Sequence, residues 1–567
     1  ERCPRLSPRL SEMRLAVAVI SSCAALAQAG TTIEASVDLT AAGTPFAHYW
    51  KRCVGSGHML LGTREDWRSH LTLAVRELGF TGIRGHGVFD DDMSVLPRRG
   101  GDYEFYNVDQ VFDFLLSLKV KPVVELSFMP SALVTCGTAT SRPCSYAFGD
   151  HGGYKGLVMP PDNFEDWYDL VAAFAKHLVA RYGLQEVASW HFEVWNEMWG
   201  VSYPEPYLSL YNASARAVKA VDPSLRIGGP ATMQVKDIGA FIKAVQGKVP
   251  VDFVSTHFYP TDPQCQTNET KGDRDCFAHT VLAAQKLAKD AGLPFFITEY
   301  NDGLGRSSRD DSSAAAFVFR HMGLMEQLDM FSWWTFSDVF EENWMQSAPF
   351  HNGYGMMTVQ GVRKPVWRAF QLLAGAGDTR LPVSGSVSPA RDNSDISVLA
   401  TKSGADFQLF VASYRALGAV SRFSCDAAEG RCKEDPAGTF TDEALCNANC
   451  GGEGLGASAG LGAGQPLHNV TLTFQHPASA RWPGAVDGFR IDAAHANPMA
   501  KWKELGSPKY PTAAEVASMA AASELGPAER ILVSRLSATT SAVSFQMPSD
   551  SVLHIAFRLS SDPSVVV

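Results

Sequence analysis

From residue 46 to about residue 375 the chain repeats one local pattern eight times: a short apolar run, then apolar residues at helical spacing. FAHYWKRCVGSG (46–57) precedes EDWRSHLTLAVRELG, FTGIRGHGVF (80–89) precedes NVDQVFDFLLSLK, and KVKPVVELSF (119–128) leads through a loop to EDWYDLVAAFAKHLVARYG. SWHFEVWNE (189–197), LRIGGPAT (225–232), VDFVSTHFYP (251–260), PFFITEYN (294–301) and FSWWTFSDVF (331–340) each have a helical partner of their own. Alternating strands and helices imply a parallel sheet, since parallel neighbours need a crossover. The runs are apolar almost throughout, as strands buried on both faces are. Eight units predict a closed (β/α)8 barrel over 46–375. The alternative is an open doubly wound sheet, which usually carries a glycine-rich phosphate turn after its first strand. GSG at 55–57 is too weak a signal for one.

Beyond residue 376 the period changes. DISVLATKSGADFQLFVASYRA, HNVTLTFQH and AVSFQMPSDSVLHIAFRL alternate in short strands with turn signals, which predicts a β-sandwich over 376–567. A Cys-rich insert at about 425–465 and a helical excursion at about 497–525 interrupt it. TTIEASVDLT, within 30–45, lies outside the barrel and is read as one more sandwich strand. Met13 opens MRLAVAVISSCAALAQAG, the layout of a secretory signal cleaved after Ala29, with residues 1–12 upstream of it. Its apolar run is too short for a comfortable membrane span, so no membrane anchor is expected. The destination is the secretory pathway, ending outside the cell or in a lysosome or vacuole.

Export gives the cysteines meaning. Of 11, Cys3 and Cys23 belong to the leader. Cys136 with Cys144 and Cys265 with Cys276 are expected disulfides, and Cys425, Cys432, Cys446 and Cys450 two more of open pairing, leaving Cys53 as the odd thiol. A zinc site in the last four is the alternative, against their irregular spacing. Asn212, Asn268 and Asn469 head glycosylation sequons.

A net charge of -11 without a Lys/Arg run speaks against a nucleic-acid partner. The chemistry sits where strands end, because catalytic residues of such a barrel gather at its C-terminal face. Run four ends on Asn196 and Glu197, between Trp195 and Trp199; run seven ends on Glu299, in ITEYN. Two carboxylates across a sugar are what glycoside hydrolysis requires, one to protonate the leaving oxygen, the other to attack the anomeric carbon or activate water. Aromatic surroundings should raise the pKa of Glu197 and suit it to acid/base work. Glu299, held by Tyr259 or Arg84, is the expected nucleophile. Arg84 with His86, and His257 with Tyr259, are spaced by two and so share a strand face, which suits hydroxyl recognition. Run eight adds Trp333, Trp334, Asp338, Glu341 and Glu342 as candidates to hold a sugar ring. Asp90, Asp91 and Asp92 lack a calcium-loop layout and read as a solvated or Arg-paired loop.

IRGHGVFDDDM, YNVDQVFDFLLSLKVKPVVELSFMP, EVWNEMWG, STHFYP, ITEYN and WWTFSDVFEE together resemble glycoside hydrolase family 39, known for β-xylosidases and α-L-iduronidases. The resemblance implies a (β/α)8 barrel, retention of anomeric configuration and no metal or other cofactor. It implies Glu197 as acid/base, Glu299 as nucleophile, Asn196 as the amide on the sugar 2-hydroxyl, and Arg84, His86, His257 and Tyr259 as subsite residues. Met198 stands where many members carry proline, and the Cys-rich insert departs from the bacterial β-xylosidase pattern. A uronic acid needs a cation in its pocket. Phe258, Tyr259 and Pro260 follow His257 where iduronidases place basic residues, and TFSDVFEE is acidic. A neutral β-glycoside, β-xyloside first, is therefore the expected substrate. Arg363 keeps an iduronidase-like reading open, and a non-catalytic sugar-binding barrel is the remote alternative.

Overall fold

A computed structural model describes residues 32–560 apart from 138–141, 148–153, 271–272, 305–308, 326–327, 343–344, 386–394, 416–422, 427–430 and 435–466. Eight parallel strands close into a barrel: β1 (Val54–His58), β2 (Gly82–His86), β3 (Lys121–Leu126), β4 (His191–Val194), β5 (Arg226–Thr232), β6 (Phe253–His257), β7 (Phe295–Tyr300) and β8 (Met330–Trp333). Trp333 pairs with Val54 to complete the ring. The helices α1 (Glu65–Leu78), α2 (Tyr106–Ser117), α3 (Phe164–Tyr182), α4 (Tyr207–Val221), α5 (Ile238–Val245), α6 (Cys276–Asp290), α7 (Ser312–Leu324) and α8 (Pro365–Ala374) surround it.

Local chemistry sets several helix ends. Asn163 and Asp311 accept from the backbone N–H groups of Glu165 and Ser313, relieving unpaired donors of the first turn. Pro365 opens α8, where its missing N–H costs nothing. Gly79 closes α1 in the left-handed region (φ 75°). One stripe of α1, Trp67, Leu71, Ala74 and Leu78, is fully buried. Cys53, Val123, Phe253, Phe296 and Met330 form an apolar plug at the strand starts.

The first apolar run is only partly strand. Tyr49–Arg52 is a 3-10 turn that buries Tyr49 and Trp50, and extension begins at Val54. Apolar composition signals burial, and burial under the barrel needs no ladder partner.

The second domain is built on a sheet whose strands run Val383–Gly385, Thr32–Asp38, Leu467–Gln475, Thr540–Pro548, Glu529–Arg535, Ala485–Ile491, Ser551–Arg558, Asp406–Ser413, Ile396–Ser403, Thr379–Leu381 and Thr44–Pro45. Glu529–Arg535 joins its two halves: Glu529 to Leu532 pair with Ala485–Ile491, and Val533 to Arg535 with Thr540–Pro548. Val37, Leu409, Val411, Leu472, Phe474, Val543, Leu553 and Ile555 fill the sandwich core. The N-terminal strand pairs in parallel with Leu467–Gln475. Helices Pro498–Glu504 and Ala513–Ala522, the second opened by a Thr512–Glu515 capping box, bury Met519 with Phe350 and Val362 of the barrel. Phe319 of α7 meets Phe410 edge-on at 5.2 Å, so the sandwich leans on the barrel's outer wall.

Cys136–Cys144 and Cys265–Cys276 are disulfides, and Cys53 is a buried thiol pushed up to about 12 by that burial. Backbone register sets Cys425 opposite Cys432 in a small hairpin; the pairing of the four insert cysteines and the leader 1–29 lie outside the described residues. Asn212, Asn268 and Asn469 are exposed. Among the described residues no helix is long and apolar enough to cross a membrane.

Candidate active site

Strand β4 stops at Val194, and Trp195 (φ 70°), Glu197 (φ 50°) and Met198 (φ 61°) carry the chain through a left-handed turn that non-glycine residues rarely adopt. Glu197 N–H to Ala231 O (2.8 Å) and Trp195 Nε1 to Trp199 O (3.0 Å) hold it. Backbone strain of this kind persists where surrounding contacts over-determine it. Proline fixes φ near -65°, so the turn as it stands has no room for one at Met198 (φ 61°).

The turn aims Glu197 at Glu299, the fifth residue of β7. Nδ1 of His257, the last residue of β6, lies 2.8 Å from Glu197 Oε1 and 3.3 Å from Glu299 Oε2. Oxygens of the two carboxylates, with the histidine nitrogen, fall within 4.8 Å of one another. Burial pushes Glu197 up to about 7, with the charges of His86 and Arg84 pulling the other way, and burial holds His257 down to about 4. A neutral imidazole therefore sits between the two acids near neutral pH.

Arg84 is the hub beneath them. Its guanidinium donates to Glu193 Oε2 (2.5 Å), Glu299 Oε1 (2.7 Å) and Asn196 Oδ1 (2.9 Å) and lies 2.7 Å from Glu125 Oε2. A planar fork can serve four acceptors at once; a point charge cannot. Tyr259 Oη donates to Glu299 Oε2 at 2.9 Å, so both expected partners hold this carboxylate. The Asn196 amide nitrogen is buried and has no protein partner.

His86 bridges outward from this centre, with Nδ1 2.8 Å from Glu125 and Nε2 3.2 Å from Glu342. Against the pull of burial, Glu125 and then Glu342 hold it well above the usual imidazole range, and burial pushes Glu342 up to about 7. Trp334 lies 4.9 Å from His86 but is only 3% exposed. Gly55 makes room for it. A Cβ there would lie 2.5 Å from Trp334 Cε3 and 2.9 Å from Trp333 O. Gly55→Ala is expected to cost about 1–3 kcal/mol through this overlap and to raise KM as Trp334 shifts, read by thermal unfolding and steady-state kinetics.

Arg84, His86, Asn196, Glu197, His257, Tyr259, Glu299, Trp334 and Glu342 thus gather at one mouth. Other candidates go elsewhere. Trp333 is core, edge-on to Tyr300 at 5.4 Å. Asp338 is buried against Lys364 (2.7 Å). Arg363 is spent on Glu77, with bonds of 2.6 and 2.8 Å. Asp90 is neither solvated nor Arg-paired: it is 3% exposed, accepts from Tyr154 Oη at 2.5 Å and lies 3.3 Å from His58.

Sequence reasoning passed over Glu125, Glu193 and His58. Glu125 and Glu193 pair in register on adjacent strands, and the missed signal was an acid inside an apolar strand. Among the described residues His58, with Asp90 and Asp92, is the other group spaced closely enough to hold a metal. Against burial, Asp90, Asp92 and Glu341 hold its imidazole well above its ordinary range, and a metal there would have to displace that proton.

The comparisons with known proteins agree with this geometry. The profile of glycosyl hydrolases family 39 matches residues 33–414. A beta-xylosidase of Caldicellulosiruptor saccharolyticus is 38% identical over 360 residues, covering 59% of this chain and 70% of that protein. One from Geobacillus stearothermophilus is 36% identical over 385 residues, covering 62% and 74%. The crystal structure of a monomeric beta-xylosidase from Caulobacter crescentus superposes with a TM-score of 0.71 at 26% identity, covering 93% of this chain and 99% of that one. With two facing carboxylates in a (β/α)8 mouth, the chain is a xylosidase-like glycosidase and belongs to glycosyl hydrolases family 39.

Proposed function

We propose that the protein is a retaining β-D-xylosidase, or acts on a closely related neutral β-glycoside, by double displacement. The observation that carries this is that Glu197 and Glu299 face each other across His257 Nδ1, which lies 2.8 and 3.3 Å from them, with one carboxylate oxygen of each within 4.8 Å of the other's. Retaining enzymes keep their carboxyl groups about 5–5.5 Å apart, whereas inverting ones leave about 6.5–9.5 Å for a water. Glu299 attacks the anomeric carbon while Glu197 gives its proton to the departing oxygen. Water, deprotonated by Glu197, then displaces Glu299. The free Asn196 amide donors are available to a sugar hydroxyl, and neutral His257 orients both acids. The relatives named beta-xylosidase support the glycone, and so does the charge inventory. Among the described residues Arg84 and His86 lie 2.7 and 3.7 Å from Glu299, and they already face Glu125, Glu193 and Glu342. A uronate would bring a further carboxylate beside acids that Arg84 and His86 already serve.

The proton on Glu197 makes a pH prediction. It is present below about pH 7 and lost above, so kcat/KM for a poor leaving group such as methyl β-xyloside should fall tenfold per unit above that midpoint. Glu342 titrates in the same range. The two separate with a dinitrophenyl β-xyloside, whose leaving group needs no proton: the fall should vanish if Glu197 causes it and persist if Glu342 does.

The direct test offers aryl β-xyloside, β-glucoside, β-galactoside, α-L-arabinoside and α-L-iduronide to the purified protein. Fastest turnover of the β-xyloside is expected. Preference for the iduronide would overturn the glycone while leaving the two glutamates in place. The two disulfides support an exported chain.

A further inference from the structure

The opposite end of the barrel has a character of its own. A cavity of about 630 Å³ opens among the strand starts. Its rim carries Arg52, just before β1, Lys119 and Lys121 at the start of β3, and Arg226 at the start of β5. Asp329 is the one carboxylate among the described residues of the lining, in a chain of net charge -11.

The four cations hold few partners. Arg52 donates to the Asp329 carbonyl (2.6 Å), Lys121 to Ser189 Oγ (2.7 Å), and Arg226 Nη1 lies 3.5 Å from His191 Nε2. Among the described residues none of the four lies within ion-pair distance of a carboxylate. All four side chains are exposed. Asp329 itself is engaged, accepting from the Phe295 N–H at 2.9 Å. Like charges gathered around a concavity repel one another unless an anion joins them, and low-dielectric walls focus their field into it. Lys119 also sits in the left-handed region (φ 59°), where glycine costs less.

Phe296, Met330 and Val123 make the floor, buried members of the apolar plug. His191 stands over Phe296, rings edge-on at 4.9 Å. A cationic rim over an apolar floor fits an anion with a carbon frame, and the volume lies in the range of small-molecule pockets.

We propose that this N-terminal cavity is a second binding site, separate from the glycosidase mouth, for a sugar-sized anion recognised through its carboxylate or phosphate group by Arg52, Lys119, Lys121 and Arg226.

The test titrates the full chain calorimetrically with D-glucuronate, inorganic pyrophosphate and neutral D-glucitol. Saturable binding of one or both anions with a Kd of about 1 mM or tighter, weakening with added salt, is expected, and none of the glucitol. The stronger anion identifies the group recognised. Lys121→Gln with Arg226→Gln should weaken binding by about tenfold or more. Lys119→Gly removes one rim charge at a position that favours glycine, so it folds, and should weaken binding about threefold. Turnover at the opposite face should be unchanged in both variants. Absence of saturable binding by either anion up to about 10 mM, or binding that neither variant weakens, would overturn the proposal.

Discussion

Glu299→Gln is expected to lower kcat/KM for an aryl β-xyloside by about 10⁴-fold or more, the size of effect seen when a nucleophile is removed, with little change in thermal unfolding. The carboxamide has the shape of the carboxylate but cannot bond to the anomeric carbon. Its oxygen can still accept from Arg84 Nη1, which meets the native carboxylate at 2.7 Å, and its NH₂ can donate to Tyr259 Oη, 2.9 Å from the other oxygen. Loss of rate without loss of fold separates a reacting group from a structural one. Glu299→Ala leaves a hole beside the same carbon; azide filling it should restore turnover and give a glycosyl azide of inverted configuration. A variant within about tenfold of wild type would remove Glu299 from the chemistry.

Arg84→Gln should lower stability as well as rate. Arg84, Glu125 and Glu193 side chains have no solvent exposure and Glu299 has 6%. Removing the cation leaves three carboxylates facing one another, and breaking a buried pair from one side costs about 3–5 kcal/mol. The sign of its pH dependence follows from Glu125. Burial raises its pKa, but Arg84 and then His86 outweigh that and hold it below its ordinary 4.5. In the wild type this contributes stability at neutral pH that is lost as pH falls through the depressed value. Without Arg84 the pKa is raised, and stability is instead lost as pH rises through it. The gap between variant and wild type in thermal unfolding should therefore narrow as pH is lowered towards 5. Arg84→Lys keeps one charge but not the fork, so it should recover part of the stability and little of the activity. Equal unfolding of Arg84→Gln and wild type at pH 7 would show that the hub does not hold the barrel centre together.

How much of this the sequence foretold depends on range. The alternation of apolar runs with helical spacing is local, so eight units and their barrel are legible in it. Glu197 and Glu299 are legible because each ends an apolar run, where a barrel exposes its strand ends. The hub is harder. Glu125 and Glu193 lie inside strands, and nothing near either in sequence signals that both meet Arg84, which is 109 residues from Glu193. Asp90 misleads for the same reason: three consecutive acids suggest solvent, yet Tyr154, 64 residues on, caps it inside the protein. Arg363 looks available in sequence and is consumed by Glu77, 286 residues away. The left-handed turn at Glu197 is invisible for a different cause. Gly200 (φ 63°) closes it, but no glycine stands at Trp195, Glu197 or Met198, whose positive φ values go with contacts from Ala231 and Trp199 that are remote from any sequence signal.

The first-formed product anomer decides the double displacement most directly. Proton NMR of xylose released from p-nitrophenyl β-D-xyloside, followed before mutarotation, should show the β-anomer appearing first. First appearance of the α-anomer would mean single displacement by water, and would contradict both the nucleophilic role of Glu299 and the meaning given to its close approach to Glu197.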